Sequence, residues 1–380
     1  MTQALLWPPL ARLDHPREVV RQFTPNWFAT TMGTGILALA LAALPLPLPG
    51  RESVAEALWG LAVLLFAAST LLYGARWLLF FDGARLILAH PVVSMFLGCI
   101  PMGLATILNG LLRFGPAHWG EPAVVAVAAP LWLLDAAMAL GCGVLIPFLM
   151  FTRQRHAVEQ MTAVWLLPVV AAEVAAVSGG LLAPHLAAPD LQLAVLVASY
   201  ALWACSVPLA LSVLVILLLR LAVHKLPPAS MAASSWLALG PIATGALGLL
   251  VLGEAAPSIL AANGLGDYGP AARGFGLIGG VLLWGNGLWW AGIATLINLR
   301  HLRHGLPFNL GWWGYTFPLG VYAVATLRLA ALLPIPALGW IGASLVATLV
   351  LAWLVVAGRT ALGVWRGDLF SAPCLAAPAE

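Results

Sequence analysis

Apolar runs of about 20 residues recur along the chain and are separated by short polar segments. A helix of about 20 apolar residues is long enough to cross the hydrocarbon core of a bilayer. The pattern therefore predicts an all-α integral membrane protein with ten transmembrane helices. The predicted spans are residues 24–44, 54–80, 91–113, 124–151, 163–183, 190–220, 234–255, 272–299, 312–333 and 339–363.

The ninth span carries an interruption. Residues 309–328 read NLGWWGYTFPLGVYAVATLR, with Pro318 inside the apolar run. Proline lacks an N–H and its ring clashes with the carbonyl four residues back, that of Gly314, so a kink is expected close to Phe317. Within a membrane such a break persists only where protein or water satisfies the freed group. The other spans are therefore expected to pack around this one.

Each odd-numbered span has a comparable break in its first half, predicted as a kink in the pore helices. From Pro25 the prolines follow at intervals of 76, 67, 73 and 77 residues, one helical hairpin each. The period predicts five quasi-repeated hairpins, with the odd-numbered helices lining a central pore and the even-numbered helices facing lipid. The alternative is that Gly and Pro are simply common in membrane helices. The kink positions are Pro25, Gly33, Gly35, Pro101, Pro168, Pro241 and Pro318.

One level of this pore is expected to be a hydrophobic constriction. The residues that precede the four clear prolines are Ile100, Leu167, Gly240 and Phe317. An apolar ring of this kind can gate a pore by blocking it or by dewetting. Phe317 is the largest of the four and is the candidate gate; the alternative is a phenylalanine that packs between helices.

Composition excludes several classes of function. The chain is 62% hydrophobic and 8% charged, and its net charge of +3 comes from scattered arginines, so no nucleic-acid partner is indicated. The four cysteines are isolated, no metal set or cofactor motif is present, and no GxxxxGK[ST] loop suggests a nucleotide-driven pump. An enzyme would need reactive side chains convergent at one depth, and none is evident.

The positive charges predict the orientation. Thirteen Lys and Arg residues fall on the side of both termini and three on the other, so the termini are expected in the cytoplasm. The expected location is the plasma membrane, or the inner membrane of a bacterium. The predicted division is an N-terminal arm (1–23), one membrane domain (24–365) and a C-terminal tail (366–380).

Three ionisable residues within spans call for a partner or a role: Arg328, Asp135 and Glu173. Arg328 and Asp135 are predicted at the same depth and could form a structural ion pair; alternatively, Arg328 attracts anions toward the outer mouth. Glu173 is predicted near mid-membrane. It is either neutral between hairpins, because burial disfavours the charged carboxyl, or it couples a proton to transport.

Four motifs resemble one known family: NWFATTMGTG (26–35), MFLGCIPMGLATILN (95–109), MTAVWLLPVVAA (161–172) and GWWGYTFPLGVYAVATLR (311–328). The family contains the tellurite-resistance channel, the yeast malate permease, the fungal sulfite efflux pump and the plant guard-cell slow anion channel. The resemblance implies ten helices in five hairpins, a homotrimer with one pore per subunit, and transport of small anions. It also implies a phenylalanine of the ninth helix that occludes the pore, and Phe317 is the matching position.

The expected function is transport of small anions through a phenylalanine-gated pore, with efflux of sulfite or a similar oxyanion as the leading substrate. The alternative is a proton-coupled transporter of malate or another four-carbon dicarboxylate. A dicarboxylate would be expected to need two fixed cations, whereas Arg328 is the cation identified within the spans. The expected partners are small inorganic or organic anions and membrane lipid.

Overall fold

The computed structural model describes residues 8–303 and 305–375, and within these ranges every regular element is a helix. The predicted all-α class is therefore confirmed. The ten principal helices, numbered here in chain order, are α1 Phe28–Ala42, α2 Arg51–Leu79, α3 Cys99–Phe114, α4 Glu121–Thr152, α5 Leu167–Leu182, α6 Pro189–His224, α7 Leu239–Ala262, α8 Gly269–Leu302, α9 Phe317–Leu332 and α10 Pro336–Arg366.

In the described part of the chain, nine helical segments are long and apolar enough to cross a membrane, and they include α2 to α10. The first predicted span, 24–44, is shorter: α1 has 15 residues and follows a 3₁₀ turn at Pro25–Trp27. It ends before the sequence PLPLP (45–49), whose prolines cannot continue an α-helix. Nine of the ten predicted spans thus meet the length and composition expected of a transmembrane helix.

Odd- and even-numbered helices differ in burial. In the most apolar 18-residue windows, 67 to 94% of residues are buried in the segments that contain α3, α5, α7 and α9, against 22 to 33% for α2, α4, α6, α8 and α10. Each odd-numbered helix contacts the next one: α1 contacts α3, α3 contacts α5, α5 contacts α7 and α7 contacts α9. Helix α9 in turn contacts α1. Each even-numbered helix packs against the odd-numbered helix before it. The five odd-numbered helices therefore form a closed inner cycle.

The prolines of the inner helices lie where α-helix begins. Pro318 is in the first turn of α9, after a 3₁₀ segment at Leu310–Tyr315. A first-turn position suits proline, because the missing N–H has no intrahelical partner there. The break therefore takes the form of a change from a short helical segment to α-helix, and not of a bend in one continuous helix. A 3₁₀ segment also precedes the helices that contain Pro101 and Pro168, whereas a four-residue α-helical segment, Ser234–Leu237, precedes the helix that contains Pro241.

Glycines allow the inner helices to approach each other closely. A Cβ added at Gly33 would lie 2.2 Å from Thr316 Oγ1, and one added at Gly35 would lie 2.4 Å from Thr106 Oγ1. A real Cβ could not be accommodated at either distance without movement of the neighbours. The MGTG motif thus lets α1 lie directly against α3 and the start of α9.

The described parts of the two termini pack together. Leu10 N donates to Trp365 O over 2.7 Å, and Arg12 pairs with Asp368 over 2.8 Å. The rings of Trp27 and Phe370 stack with centroids 5.1 Å apart. We call this end of the helix bundle the terminal end. Residues 1–7 of the predicted arm and 376–380 of the predicted tail lie outside the described residues.

Candidate functional site

Two cavities penetrate the bundle from its two ends. The inner cavity, of about 370 Å³, lies at the terminal end, and the outer cavity, of about 350 Å³, lies toward the opposite end. The lining of the inner cavity includes Asn26, Cys99, Met102, Leu167, Gly240 and Trp313. The lining of the outer cavity includes Thr106, Asn109, Thr244, Val321 and Arg328.

Phe317 lies between these cavities. Among the described residues it alone lines both, and its side chain is 5% exposed. The segment before it is fixed by two hydrogen bonds: Thr316 Oγ1 donates to Trp313 O over 2.7 Å, and Trp313 Nε1 donates to Thr360 Oγ1 over 3.1 Å. A large apolar side chain is therefore held at the point where the two cavities approach each other.

The other predicted constriction residues are only partly brought together. Leu167 and Gly240 line the inner cavity with Phe317, whereas Ile100 lines neither cavity. On α3 it is Cys99 and Met102, three residues apart and so on one helix face, that line the inner cavity. At Gly240 an added Cβ would have Pro318 Cγ 3.9 Å away, an ordinary contact, so glycine leaves space beside the proline.

The predicted pairing of Arg328 with Asp135 is wrong. Arg328 Nε bonds to Glu254 Oε2 on α7, a helix that packs against α9. Glu254 lies within the predicted span 234–255 and was overlooked as a partner. Asp135 is fully buried, and neither of its carboxylate oxygens has a hydrogen-bond partner in the described chain. Equal depth along the helices does not by itself produce an ion pair, because the acidic partner must also lie on a helix that faces the arginine.

Glu173 lines neither cavity. Its side chain is fully buried in α5, and its oxygens have no hydrogen-bond partner within the described residues. This position places no carboxylate on the surface that an anion would meet.

Positive charge in the outer cavity is partly offset by carboxylates. Three described lining residues can carry a positive charge, and each has an acidic partner. Arg328 pairs with Glu254, Arg113 with Glu52 over 2.9 Å, and His185 with Glu121 over 2.6 Å. Glu52 is shared, because Arg51 pairs with it over 2.7 Å. Paired charges attract an anion less than free charges, since each carboxylate repels what its partner attracts. The outer cavity is polar without being strongly positive.

Comparison with known proteins identifies the family. Residues 22–361 match the family described as voltage-dependent anion channel, SLAC1. The chain belongs to this family. It is 36% identical over 355 residues to the sulfite efflux pump SSU1 of Trichophyton rubrum, covering 92% of this chain and 93% of that protein. The predicted family membership is confirmed.

Two more distant relatives also align along most of the chain. The uncharacterized transporter MJ0576 of Methanocaldococcus jannaschii is 29% identical over 355 residues, which cover 93% of this chain and 96% of that protein. The malic acid transport protein of Schizosaccharomyces pombe is 22% identical over 350 residues, which cover 89% of this chain and 77% of that protein. The chain is thus more similar in sequence to the sulfite efflux pump than to the malic acid transport protein.

Two polar residues of this family member escaped the sequence analysis. Asn109 and Thr244 line the outer cavity, and Asn109 Oδ1 and Thr244 Oγ1 have no hydrogen-bond partner within the described residues. A single asparagine in an apolar span is a usable signal, because polar groups are costly in a membrane. Thr244 offered no signal, since helical threonines normally bond to their own backbone. No group of three His, Cys, Asp or Glu suited to a metal occurs in the described chain.

Proposed function

We propose that this protein is an anion transporter that carries sulfite or a similar small oxyanion out of the cell, through a pore closed at Phe317. The observation that carries the proposal is the position of Phe317 between two cavities inside the cycle formed by α1, α3, α5, α7 and α9. A pore of this kind conducts when the plug moves and the two cavities join. The likeness to SSU1 supports sulfite as the substrate.

The charges of the outer cavity favour a small oxyanion over a dicarboxylate. A four-carbon dicarboxylate carries two separated negative charges and would be matched best by two free cations. Arg113 and Arg328 are both paired with carboxylates, so neither is free. Conduction also needs an anion to bind weakly enough to leave, which paired charges allow.

The alternative, a proton-coupled transporter of malate, has less support. The malic acid transport protein is the more distant relative, at 22% identity. The candidate proton carrier, Glu173, is fully buried and lines neither cavity, so a proton would need a separate route to it. Proton-coupled malate transport therefore remains the result that would contradict sulfite efflux.

The proposal includes an arrangement in the membrane. Residues 24–365 form one membrane domain of ten helices in five hairpins, and the large apolar side chains exposed on even-numbered helices, such as Leu71, Val144 and Val215, face lipid. Both termini are cytoplasmic, as the excess of arginine on the terminal side favours. The protein lies in the plasma membrane, or the inner membrane of a bacterium, as a homotrimer with one pore per subunit.

The test is anion flux through purified protein in liposomes under voltage control. Phe317→Ala is expected to raise sulfite flux by about an order of magnitude or more, because it removes the side chain that closes the pore, with the order of preference among sulfite, chloride and malate unchanged. The matched control is Phe114→Ala. Phe114 is also 5% exposed, but it lines neither cavity, so its variant should not raise flux.

Two results would contradict the proposal. If Phe317→Ala is no faster than wild type, the residue is a packing residue and the pore is closed elsewhere. If wild-type uptake of malate follows an imposed proton gradient and Glu173→Gln abolishes that dependence, the protein is a proton-coupled carrier.

A further inference from the structure

The outer cavity contains two neutral hydrogen-bond donors without partners, Thr244 on α7 and Asn109 on α3. Both line the cavity that has Phe317 at its inner end. Their side chains are 1% and 8% exposed, so little bulk water reaches them. A buried polar group without a partner is unfavourable, and one that points into a cavity invites a ligand.

Thr244 differs from most of the described helical threonines of this protein, and Thr31 is the other buried one without a hydrogen-bond partner. Thr34, Thr106 and Thr326 each donate to a carbonyl three or four residues earlier, over 2.7 to 2.8 Å. Their hydroxyl protons are thereby engaged. Thr244 Oγ1 makes no such bond within the described residues, so its proton is free to be donated into the cavity.

Asn109 also has an unpartnered polar atom, although this atom is an acceptor. Its Oδ1 is buried without a hydrogen-bond partner in the described chain, and the residue lines the outer cavity. The carboxamide NH₂ supplies two donors. Together with the hydroxyl of Thr244, the outer cavity offers three N–H or O–H donors that carry no net charge.

Distances along the helices give the order in which an anion would meet these groups. Thr244 is three residues beyond Pro241 and Asn109 eight residues beyond Pro101, or about 4.5 and 12 Å along their helices at 1.5 Å per residue. Arg328, ten residues beyond Pro318, is about 15 Å along α9 by the same measure. An anion that leaves the constriction would meet Thr244, then Asn109, and then the Arg328–Glu254 pair.

We infer that Thr244 and Asn109 form an oxyanion-binding subsite directly outside Phe317. Their hydroxyl and amide donors take the place of water on the oxygens of a partly dehydrated oxyanion, of which sulfite is the probe. Because both groups are neutral, the anion is held by hydrogen bonds alone and can leave, as conduction requires. The subsite rests on the proposed function, since it lies on the proposed pathway.

The test measures sulfite flux into liposomes as a function of sulfite concentration for Thr244→Val and Asn109→Leu. Each variant removes donors at nearly constant volume. We expect each to raise the KM for sulfite by about tenfold, which corresponds to about 1.4 kcal/mol and is within the range for a hydrogen bond to a charged group. The Tm in the absence of anion should stay the same or rise, because an unsatisfied polar group is removed.

Two threonines serve as matched controls. Thr106 lines the same cavity, but its hydroxyl is bonded to Gly103 O over 2.8 Å. Thr31 is fully buried and without a hydrogen-bond partner in the described chain, but it lines neither cavity. Thr106→Val and Thr31→Val should both leave the KM for sulfite unchanged.

The outcomes separate the subsite from the function. Folded wild-type protein that carries no sulfite overturns both. Wild-type sulfite flux with an unchanged KM in Thr244→Val and Asn109→Leu overturns the subsite and leaves the function standing. A KM raised equally by the Thr31→Val or Thr106→Val control also overturns the subsite, because the effect then comes from altered packing.

Discussion

The two cavities on either side of Phe317 have nearly equal volumes and different walls. Short 3₁₀ segments and the C-terminal tail contribute to the inner cavity, including Val93, Leu310, Trp313 and Asp368. The outer cavity is lined mainly by regular α-helix, with the three carboxylate-paired residues toward its mouth. A 3₁₀ turn has poorer hydrogen-bond geometry than an α-helix. The inner wall is therefore the easier one to rearrange, and the outer wall the better place for fixed ligand-binding groups.

The largest effect is expected from a methyl group at Gly33 on α1, which packs against the segment that carries Trp313 in the wall of the inner cavity. In Gly33→Ala the new Cβ would lie 2.2 Å from Thr316 Oγ1 and 2.5 Å from Trp313 Cε3, in the segment that precedes Phe317. Overpacking of this kind costs about 1–3 kcal/mol of folding stability. Thermal unfolding in detergent should show a lower Tm.

Gly240→Ala is the matched control for that change. Gly240 lines the inner cavity, and its added Cβ would lie 3.9 Å from Pro318 Cγ, an ordinary contact. Its Tm should be close to that of wild type. An equal fall in Tm in Gly33→Ala and Gly240→Ala would show that the glycines are needed for reasons other than the close approach of neighbouring helices.

A smaller effect is expected from the charge balance of the outer cavity. Glu254→Gln leaves Arg328 without its carboxylate, so anions should bind more tightly and leave more slowly. Because the pair is partly exposed, we expect the KM for sulfite to fall by about three- to fivefold, or about 1 kcal/mol, with a lower maximal flux. Concentration-dependent flux in liposomes measures both quantities.

The double variant Glu254→Gln/Arg328→Gln restores neutrality and should return the KM toward the wild-type value. A KM that stays low in the double variant would mean that Arg328 is not the source of the added attraction, and the contrast between the cavities would lose its electrostatic basis.

The smallest effect is expected from pH at the mouth of the inner cavity. His90 Nδ1 accepts hydrogen bonds from Val92 N over 3.1 Å and Val93 N over 3.2 Å, and both valines line that cavity. Burial lowers the pKa of His90 below its ordinary value of 6.5. The unfolded chain therefore binds a proton first as the pH falls, so this contribution to stability is present above about pH 6.5 and is lost below it.

His90→Asn supplies the comparison, because an asparagine oxygen can accept the same turn hydrogen bonds without titrating. The Tm difference between wild type and His90→Asn should change by a few degrees between pH 7.5 and pH 5.5, with wild type losing the more. If the Tm difference between wild type and His90→Asn does not vary with pH, the protonation of His90 does not affect the stability of the inner wall.

Much of the architecture could be read from the chain. Nine of the ten predicted spans correspond to helices of suitable length and composition, and the prolines mark where the inner helices begin their α-helical part. These features are local: apolar length sets the span, and the missing N–H of proline sets the break. As α-helix, α1, α3, α5 and α9 are shorter than their predicted spans, because a 3₁₀ segment precedes each of them; α1 also ends before the prolines of residues 45–49.

Sequence alone determined the all-helical membrane fold, the family and the position of Phe317 at a break, because these depend on the order of residues along a helix axis. Tertiary structure decided the partners of the side chains. It paired Arg328 with Glu254, and it turned Cys99 and Met102 to the inner cavity in place of Ile100. It also left Thr244 Oγ1 and Asn109 Oδ1 without partners among the described residues, in the outer cavity. The physical reason is rotation: depth follows from counting residues, whereas the neighbour that a side chain meets depends on how each helix is turned and packed.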